Sequence, residues 1–159
     1  QQNDFEEFMT ILFDLLHESI SRKSKMKIDG TPKNNLDKIA IKSMNSWIQF
    51  FQNNYSYIIN KFYSQLLSIT SCPNCQYTTL SHDPIMILQL EINNDCNTIE
   101  DCLKLFTKKD ILDNDNLWKC DKCNQYVKSE KKITLWNTSD IIMIQLILLI
   151  ILNLMIRNY

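Results

Sequence analysis

Two cysteine doublets, Cys72-Pro73-Asn74-Cys75 and Cys120-Asp121-Lys122-Cys123, carry the chemistry written most plainly in this sequence. A Cys-x-x-Cys turn aims two sulfurs at one point, and two such turns close a tetrahedral cage of four thiolates around Zn²⁺. Residues 76–119 separate the doublets, so a shared metal ties together distant parts of the chain. Four sulfur ligands leave no open coordination position, and the expected ion is therefore one structural Zn²⁺ rather than a catalytic one. The rival readings are a redox dithiol, which needs a single doublet at a helix start, and two disulfides; neither explains a matched pair.

The remaining reactive groups give no catalytic pair. A nucleophilic cysteine needs a base within hydrogen-bond reach, and the chain offers only His17 and His82. Cys102 falls on the apolar side of a predicted helix and reads as a core thiol. Cys96, in the polar run Asn93-Asn94-Asp95-Cys96-Asn97, reads as exposed and inert. Both histidines read as structural or surface groups. Asp4 and Glu7 share one face at the start of a predicted helix, where the helix dipole favours negative charge. That alone accounts for them at this level.

Composition narrows the field. The 159 residues are the size of one domain, and a hydrophobic content of 45% suffices for a core. Lys and Arg number 17 against 18 Asp and Glu, a formal net charge of −1. Without a clustered basic surface there is no electrostatic footprint for nucleic acid, so a nucleic-acid-binding zinc ribbon is disfavoured. The single glycine, Gly30, excludes Gly-rich loops that cradle phosphate. Six cysteines without a secretory signal favour a reducing, intracellular compartment, cytoplasmic or nuclear. The abrupt start at Gln1-Gln2, without Met, suggests a piece of something longer.

Several elements must position the doublets. Phe5, Phe8, Met9, Leu12, Leu15 and Leu16 recur at helical spacing, which predicts an amphipathic helix from about Asp4 to Arg22 with these residues in the core. Residues 24–35 read as a surface loop. A second helix follows from Leu36 to about Gln52, then a short one over Tyr55 to Phe62. Strands enter and leave the first doublet over 66–70 and 77–80, and Pro84 is expected to interrupt before a strand over 85–92. Thr98-Ile99-Glu100-Asp101 has the form of a capped helix start. Trp118-Lys119 leads into the second doublet, and Val127 to Trp136 reads as strand. From Ile141 to Ile156 nearly every residue is Ile, Leu or Met. That run is shorter than the ~20 residues of a membrane-spanning helix, so a membrane role is disfavoured and its first half reads as a buried strand.

Four stretches together resemble the ubiquitin-specific proteases, a papain-like family of cysteine deubiquitinases. Gln2-Asn3-Asp4-Phe5-Glu6-Glu7-Phe8 and the helix after it are similar to the family's Gln-Gln-Asp box. Phe62 to Cys75 is similar to the stretch entering the first zinc knuckle, and Asp83-Pro84-Ile85 to Ile92 to the strand after it. Thr98 to Leu103, Leu112-Asp113 and the second doublet resemble the path back to the metal. The resemblance covers residues 2 to about 146. It implies an α+β fold, a partial papain-like hand with a helical thumb (1–62) and antiparallel β fingers and palm (63–146). The fingers would carry a four-cysteine zinc ribbon on Cys72, Cys75, Cys120 and Cys123, and residues 147–159 form an apolar tail outside the pattern. The implied partner is ubiquitin or a ubiquitinated protein. Asp4 and Glu7 would lie near the channel for ubiquitin's arginine-bearing tail, which carboxylates recognise through charge-assisted hydrogen bonds.

Departures from the family pattern set the expected activity. No Gly-Asn-Thr-Cys-type box lies ahead of the Gln-Gln-Asp-like segment, and no histidine follows His82. Ser64 stands where the family usually has glycine, and Ile147-Leu148-Leu149 where it continues Lys-Arg-Phe. The tail suggests a shifted reading frame or a misjudged gene end. The chain is thus expected to be a fragment of a thiol-dependent isopeptide hydrolase, inactive alone because the nucleophile and its base are missing. The alternative is a non-enzymatic zinc-ribbon module that binds ubiquitin.

Overall fold

The computed structural model of the protein describes residues 5–52 and 54–148. Helix α1 (Phe5–Ile20) is followed by a two-residue strand β1 (Arg22–Lys23), helix α2 (Asn35–Phe51), strand β2 (Asn54–Tyr55) and helix α3 (Tyr57–Phe62). The chain then turns to strands: β3 (Ser64–Ser71), β4 (Thr78–Ile85) and β5 (Ile87–Ile92). Helix α4 (Ile99–Phe106), β6 (Asp110–Leu112), β7 (Trp118–Lys119), β8 (Tyr126–Val127), β9 (Ser129–Asn137) and β10 (Met143–Leu148) complete the order. The class is α+β, as expected.

Two helix starts are capped by side chains, that of α4 in the predicted form. The Asn34 side chain caps α2 by accepting from the Asp37 N–H at 2.8 Å. Thr98 and Asp101 form a reciprocal capping box at α4, with Asp101 N–H to Thr98 Oγ1 at 3.2 Å and Thr98 N–H to Asp101 Oδ2 at 3.2 Å. The Thr98 hydroxyl also donates to Asp101 Oδ2 at 3.0 Å and holds that carboxyl below its usual range, with Lys104 adding to the effect. An aromatic group joins the three N-terminal helices to β3. Phe13 meets Phe62 edge-on at 4.6 Å, Trp47 stacks on Phe51 at 5.3 Å, and Tyr63 sits against Phe51 at 5.0 Å.

The main sheet has four antiparallel strands in the order β4-β3-β9-β6. Pro84 does not interrupt β4; it lies within the strand, opposite Gln65. The position tolerates proline because β4 is an edge strand, where one backbone donor is dispensable. In the β3–β9 ladder the register shifts between Gln65 and Leu66, whose partners are Asn137 and Leu135. Trp136 is the extra residue of this bulge, and its ring meets buried His82 edge-on at 5.5 Å.

A second, two-stranded sheet pairs β10 with β5 in parallel. Leu88 and Leu90 of β5 are buried with Cys102 of α4, and Cys96 packs against this cluster. Cys96 is therefore half-buried rather than exposed, because the turn before α4 folds back over the helix. Cys102 is a core thiol, as its helical position implied.

Two expectations about burial fail. Of the apolar residues of α1, only Phe13 is buried, while Phe5, Phe8, Leu12, Leu15 and Leu16 are exposed. Amphipathic spacing shows that a helix has an apolar face; it does not supply a surface to cover it. Among the described residues α1 packs chiefly on the short helix α3, too small for that task. The first half of the 141–156 run is a strand, but Ile141, Ile142, Ile144 and Leu146 are exposed, because among the described residues β10 has a strand neighbour only in β5. The apolar residues from 149 onward lie outside the described residues.

Candidate functional site

The β3–β9 ladder brings the two doublets together. Ser71 lies opposite Glu130, so Cys72 leaves the end of β3 beside the point where β9 begins. Hairpin β7–β8 then presents Cys120 and Cys123 on its connecting turn, with Trp118 opposite Val127. Both doublets adopt the same backbone turn. Cys72 N–H donates to Tyr77 O at 2.8 Å and Gln76 N–H to Cys72 O at 3.0 Å. Cys120 N–H donates to Gln125 O at 2.9 Å and Asn124 N–H to Cys120 O at 2.8 Å. In each turn the residue after the second cysteine is left-handed: Gln76 at φ 57° and Asn124 at φ 54°. Asparagine tolerates this conformation better than glutamine, and glycine best of all.

The four sulfurs lie within 4.8 Å of one another. Cys72 and Cys123 are 3.8 Å apart, and Cys75 and Cys120 are 3.6 Å apart. A disulfide needs about 2.05 Å between sulfurs, and all six cysteines are free. A tetrahedron of sulfurs around Zn²⁺ at about 2.3 Å has edges of about 3.8 Å. The donor set and its spacing therefore fit a thiophilic metal ion. Cys72 and Cys120 are buried with Val127, while Cys75, Cys123 and Trp118 pack around them.

Crowding polarises the thiols. Burial pushes Cys72 up, yet it comes down to about 7 because the Cys75 and Asn74 N–H groups and the Cys75 and Cys120 side chains bond its thiolate form. Burial and the neighbouring Cys120 sulfur push Cys123 up to about 12. Four thiolates cannot share this space without a cation to balance them.

The other candidate residues fall elsewhere. Asp4 lies outside the described residues. Glu7 is exposed in the first turn of α1, while its neighbour Glu6 accepts two hydrogen bonds from Gln89 Nε2, at 2.8 and 2.7 Å. Gln89 Nε2 also meets Gln145 Oε1 at 3.2 Å, and the two glutamines are register partners across β5 and β10. This polar row had one sequence signal: two glutamines interrupting apolar strands. His17 Nδ1 lies 2.8 Å from Ser56 Oγ. His82 is buried, with Nε2 unpartnered, and desolvation lowers its pKa. Neither histidine is paired with a thiol in these arrangements.

Sequence reasoning passed over Gln65, which is fully buried. Its Oε1 accepts from Ser43 Oγ and its Nε2 donates to Ser43 O at 3.1 Å, joining β3 to α2. Tyr63, next to it but one, is pushed up to about 12 by burial, with Asp14 adding repulsion.

The chain is an α+β domain whose four-stranded sheet ends in two matched cysteine knuckles, with helices ahead of it. Comparison with known proteins supplies the family. Residues 1–148 match the family described as "Ubiquitin carboxyl-terminal hydrolase", and the chain belongs to it. It is 30% identical over 144 residues to ubiquitin carboxyl-terminal hydrolase 4 of Saccharomyces cerevisiae, covering 84% of this chain and 16% of that protein. It is 30% identical over 153 residues to ubiquitin carboxyl-terminal hydrolase 2 of Gallus gallus, covering 91% of this chain and 42% of that protein. Against ubiquitin carboxyl-terminal hydrolase 2 of Homo sapiens the identity is 31% over 150 residues, 91% of this chain and 24% of that protein. The chain thus spans less than half the length of these relatives. Among the described residues no helix is long and apolar enough to cross a membrane.

Proposed function

We propose that this chain is the substrate-gripping part of a ubiquitin-specific cysteine protease: thumb over 1–62, fingers and part of the palm over 63–146. Its role is to hold ubiquitin, whose removal from other proteins is the work of the complete enzyme. The observation that carries this reading is the coincidence of the family match with two knuckles whose sulfurs have metal-ligand spacing. Cys72, Cys75, Cys120 and Cys123 hold one structural Zn²⁺ that fixes the end of the β3–β9 ladder. Zn–thiolate bonding there contributes folding energy, not chemistry on the substrate. Glu7, exposed at the α1 start, and Asp4 before it would meet the basic tail of ubiquitin. Free thiols throughout suit a reducing, intracellular setting.

The chain by itself is read as inactive, a reading supported by the absence, among the described residues, of a histidine set beside a thiol. Titration of isotope-labelled ubiquitin with the zinc-loaded protein is the test, paired with a ubiquitin probe that traps reactive thiols. We expect shifts in ubiquitin resonances, weakened by Glu7→Lys, and no covalent adduct. Unperturbed spectra at millimolar protein overturn the binding role; a covalent adduct overturns the claim of inactivity.

A further inference from the structure

Cys96 and Cys102 belong to no part of the site described above, yet the fold packs Cys96 against the buried cluster that contains Cys102. The loop after β5 turns tightly, with Cys96 N–H donating to Asn93 O at 3.1 Å and Asp95 N–H to Asn93 Oδ1 at 2.9 Å. The capping box at Thr98 and Asp101 then fixes how the chain enters α4. Asn97 N–H donates to the same Asp101 carboxylate at 3.3 Å, so the residues just before the cap are held as well. This entry geometry lays residues ahead of the cap over the first turn of the helix, as in a hydrophobic staple. Cys102 is the fourth residue of α4, the inner position of such a staple, and Cys96 comes two residues before the Thr98 cap. Cys96 packs against the buried cluster of Leu88, Leu90 and Cys102. Burial pushes the Cys102 thiol up, and Cys96 on its flank adds to the rise.

The two thiols differ in access. Cys102 is 4% exposed, whereas Cys96 is open enough to meet a small oxidant. We propose that Cys96 and Cys102 form a peroxide-responsive dithiol, with Cys96 the residue attacked first and Cys102 the resolving thiol. The Cys96 thiolate attacks one oxygen of a hydroperoxide, the O–O bond breaks, and the departing hydroxide takes up a proton to leave as water. The product is a sulfenic acid on Cys96. The Cys102 sulfur then attacks the Cys96 sulfur, losing its proton as the S–O bond breaks and a second water leaves. Two thiols and one hydrogen peroxide give one disulfide and two waters. The bond ties the end of β5 to α4 and is reversed by thiol reductants. The knuckle cysteines stand apart from this chemistry when metal holds their thiolates.

The test treats zinc-loaded protein with hydrogen peroxide, blocks remaining thiols with N-ethylmaleimide, and maps the peptides by mass spectrometry. A Cys96–Cys102 crosslink, lighter by two hydrogens and lost on adding dithiothreitol, is the expected result. It should precede zinc release, and amide exchange over residues 98–106 should slow. Cys96→Ser, which changes a loop side chain and spares the core, should leave Cys102 reduced under the same dose. Accumulation of sulfinic acid on Cys96 without a crosslink overturns the proposal. So does a crosslink that draws in a knuckle cysteine, or oxidation of Cys102 at the wild-type rate in Cys96→Ser.

Discussion

At the knuckles, Cys72 and Cys120 are 2% and 0% exposed, whereas on α1 Phe5 and Leu15 are 73% and 60% exposed. The knuckle end has almost no apolar core, and its order comes from backbone turns repeated twice and from sulfur ligands that converge. The helical end has ample apolar surface, but much of it faces outward. Each exposed leucine or phenylalanine there forgoes much of the roughly 1.5–3 kcal/mol that full burial gives. The contrast shows two routes to local order within one chain: a small region closes on itself through repeated turns that converge four sulfurs, while a larger one awaits a packing surface.

The largest effect should come from the sulfurs. Cys120→Ser, or a strong chelator, should abolish metal binding and disorder the β7–β8 hairpin, since structural zinc sites supply on the order of 10 kcal/mol of apparent binding energy. Metal analysis with hydrogen exchange reads this. A knuckle that stays protected without metal would remove the distinction between the two ends.

Next in size is the buried amide that joins helix to sheet. Gln65→Leu leaves the Ser43 hydroxyl and carbonyl without their partner and should cost about 1–3 kcal/mol in urea unfolding. Equal stability of the variant would mean that the bond between Ser43 and Gln65 contributes little. At the first knuckle, Gln76→Gly relieves a left-handed residue and should add about 1 kcal/mol, with no change in metal stoichiometry.

His82 gives a pH signature of its own. Its folded pKa lies below the ordinary 6.5 because burial disfavours the charged ring. Above 6.5 both folded and unfolded chains keep it neutral, so its contribution is intact. As pH falls from 6.5 through the lower folded value, the unfolded chain takes up the proton first and stability drops. Comparing wild type with His82→Phe over that range should show a flatter dependence in the variant. The smallest effect on folding should come from α1. Phe8→Lys with Leu15→Lys should change stability by about 0.5 kcal/mol or less, because both positions are exposed, while reducing self-association measured by sedimentation. A large loss of stability would show that α1 is covered after all.

The elements that sequence exposed were those governed by neighbours along the chain. The doublets, the Thr98–Asp101 box and the helical stripes all depend on spacing of a few residues, and all took the expected form. What escaped depends on distant pairing. The parallel partnership of β5 with β10 joins Gln89 to Gln145, and no local pattern encodes it. The burial of Gln65 depends on Ser43, and the packing of Cys96 against the Leu88, Leu90 and Cys102 cluster on how a turn docks over a helix. Pro84 reads locally as a breaker; only the strand order shows that it sits on an edge. The exposure of α1 had no sequence signal, since periodicity is blind to whether a partner surface exists. For the candidate site, the convergence of four sulfurs could be read from the two doublets, while the engagement of Glu6 with Gln89 beside exposed Glu7 could not.

Pro84 has one more consequence. An edge strand offers its unpaired backbone groups to any extended chain that drifts alongside, the usual first step toward fibrils and sheet-to-sheet dimers. Here β4 lacks a donor at Pro84, and the opposite edge, β6, is only three residues long with Lys109 and Asp110 at its start. Both margins of the four-stranded sheet are thus poor templates for strand addition. The four-stranded sheet is thereby closed to growth by strand addition at either margin.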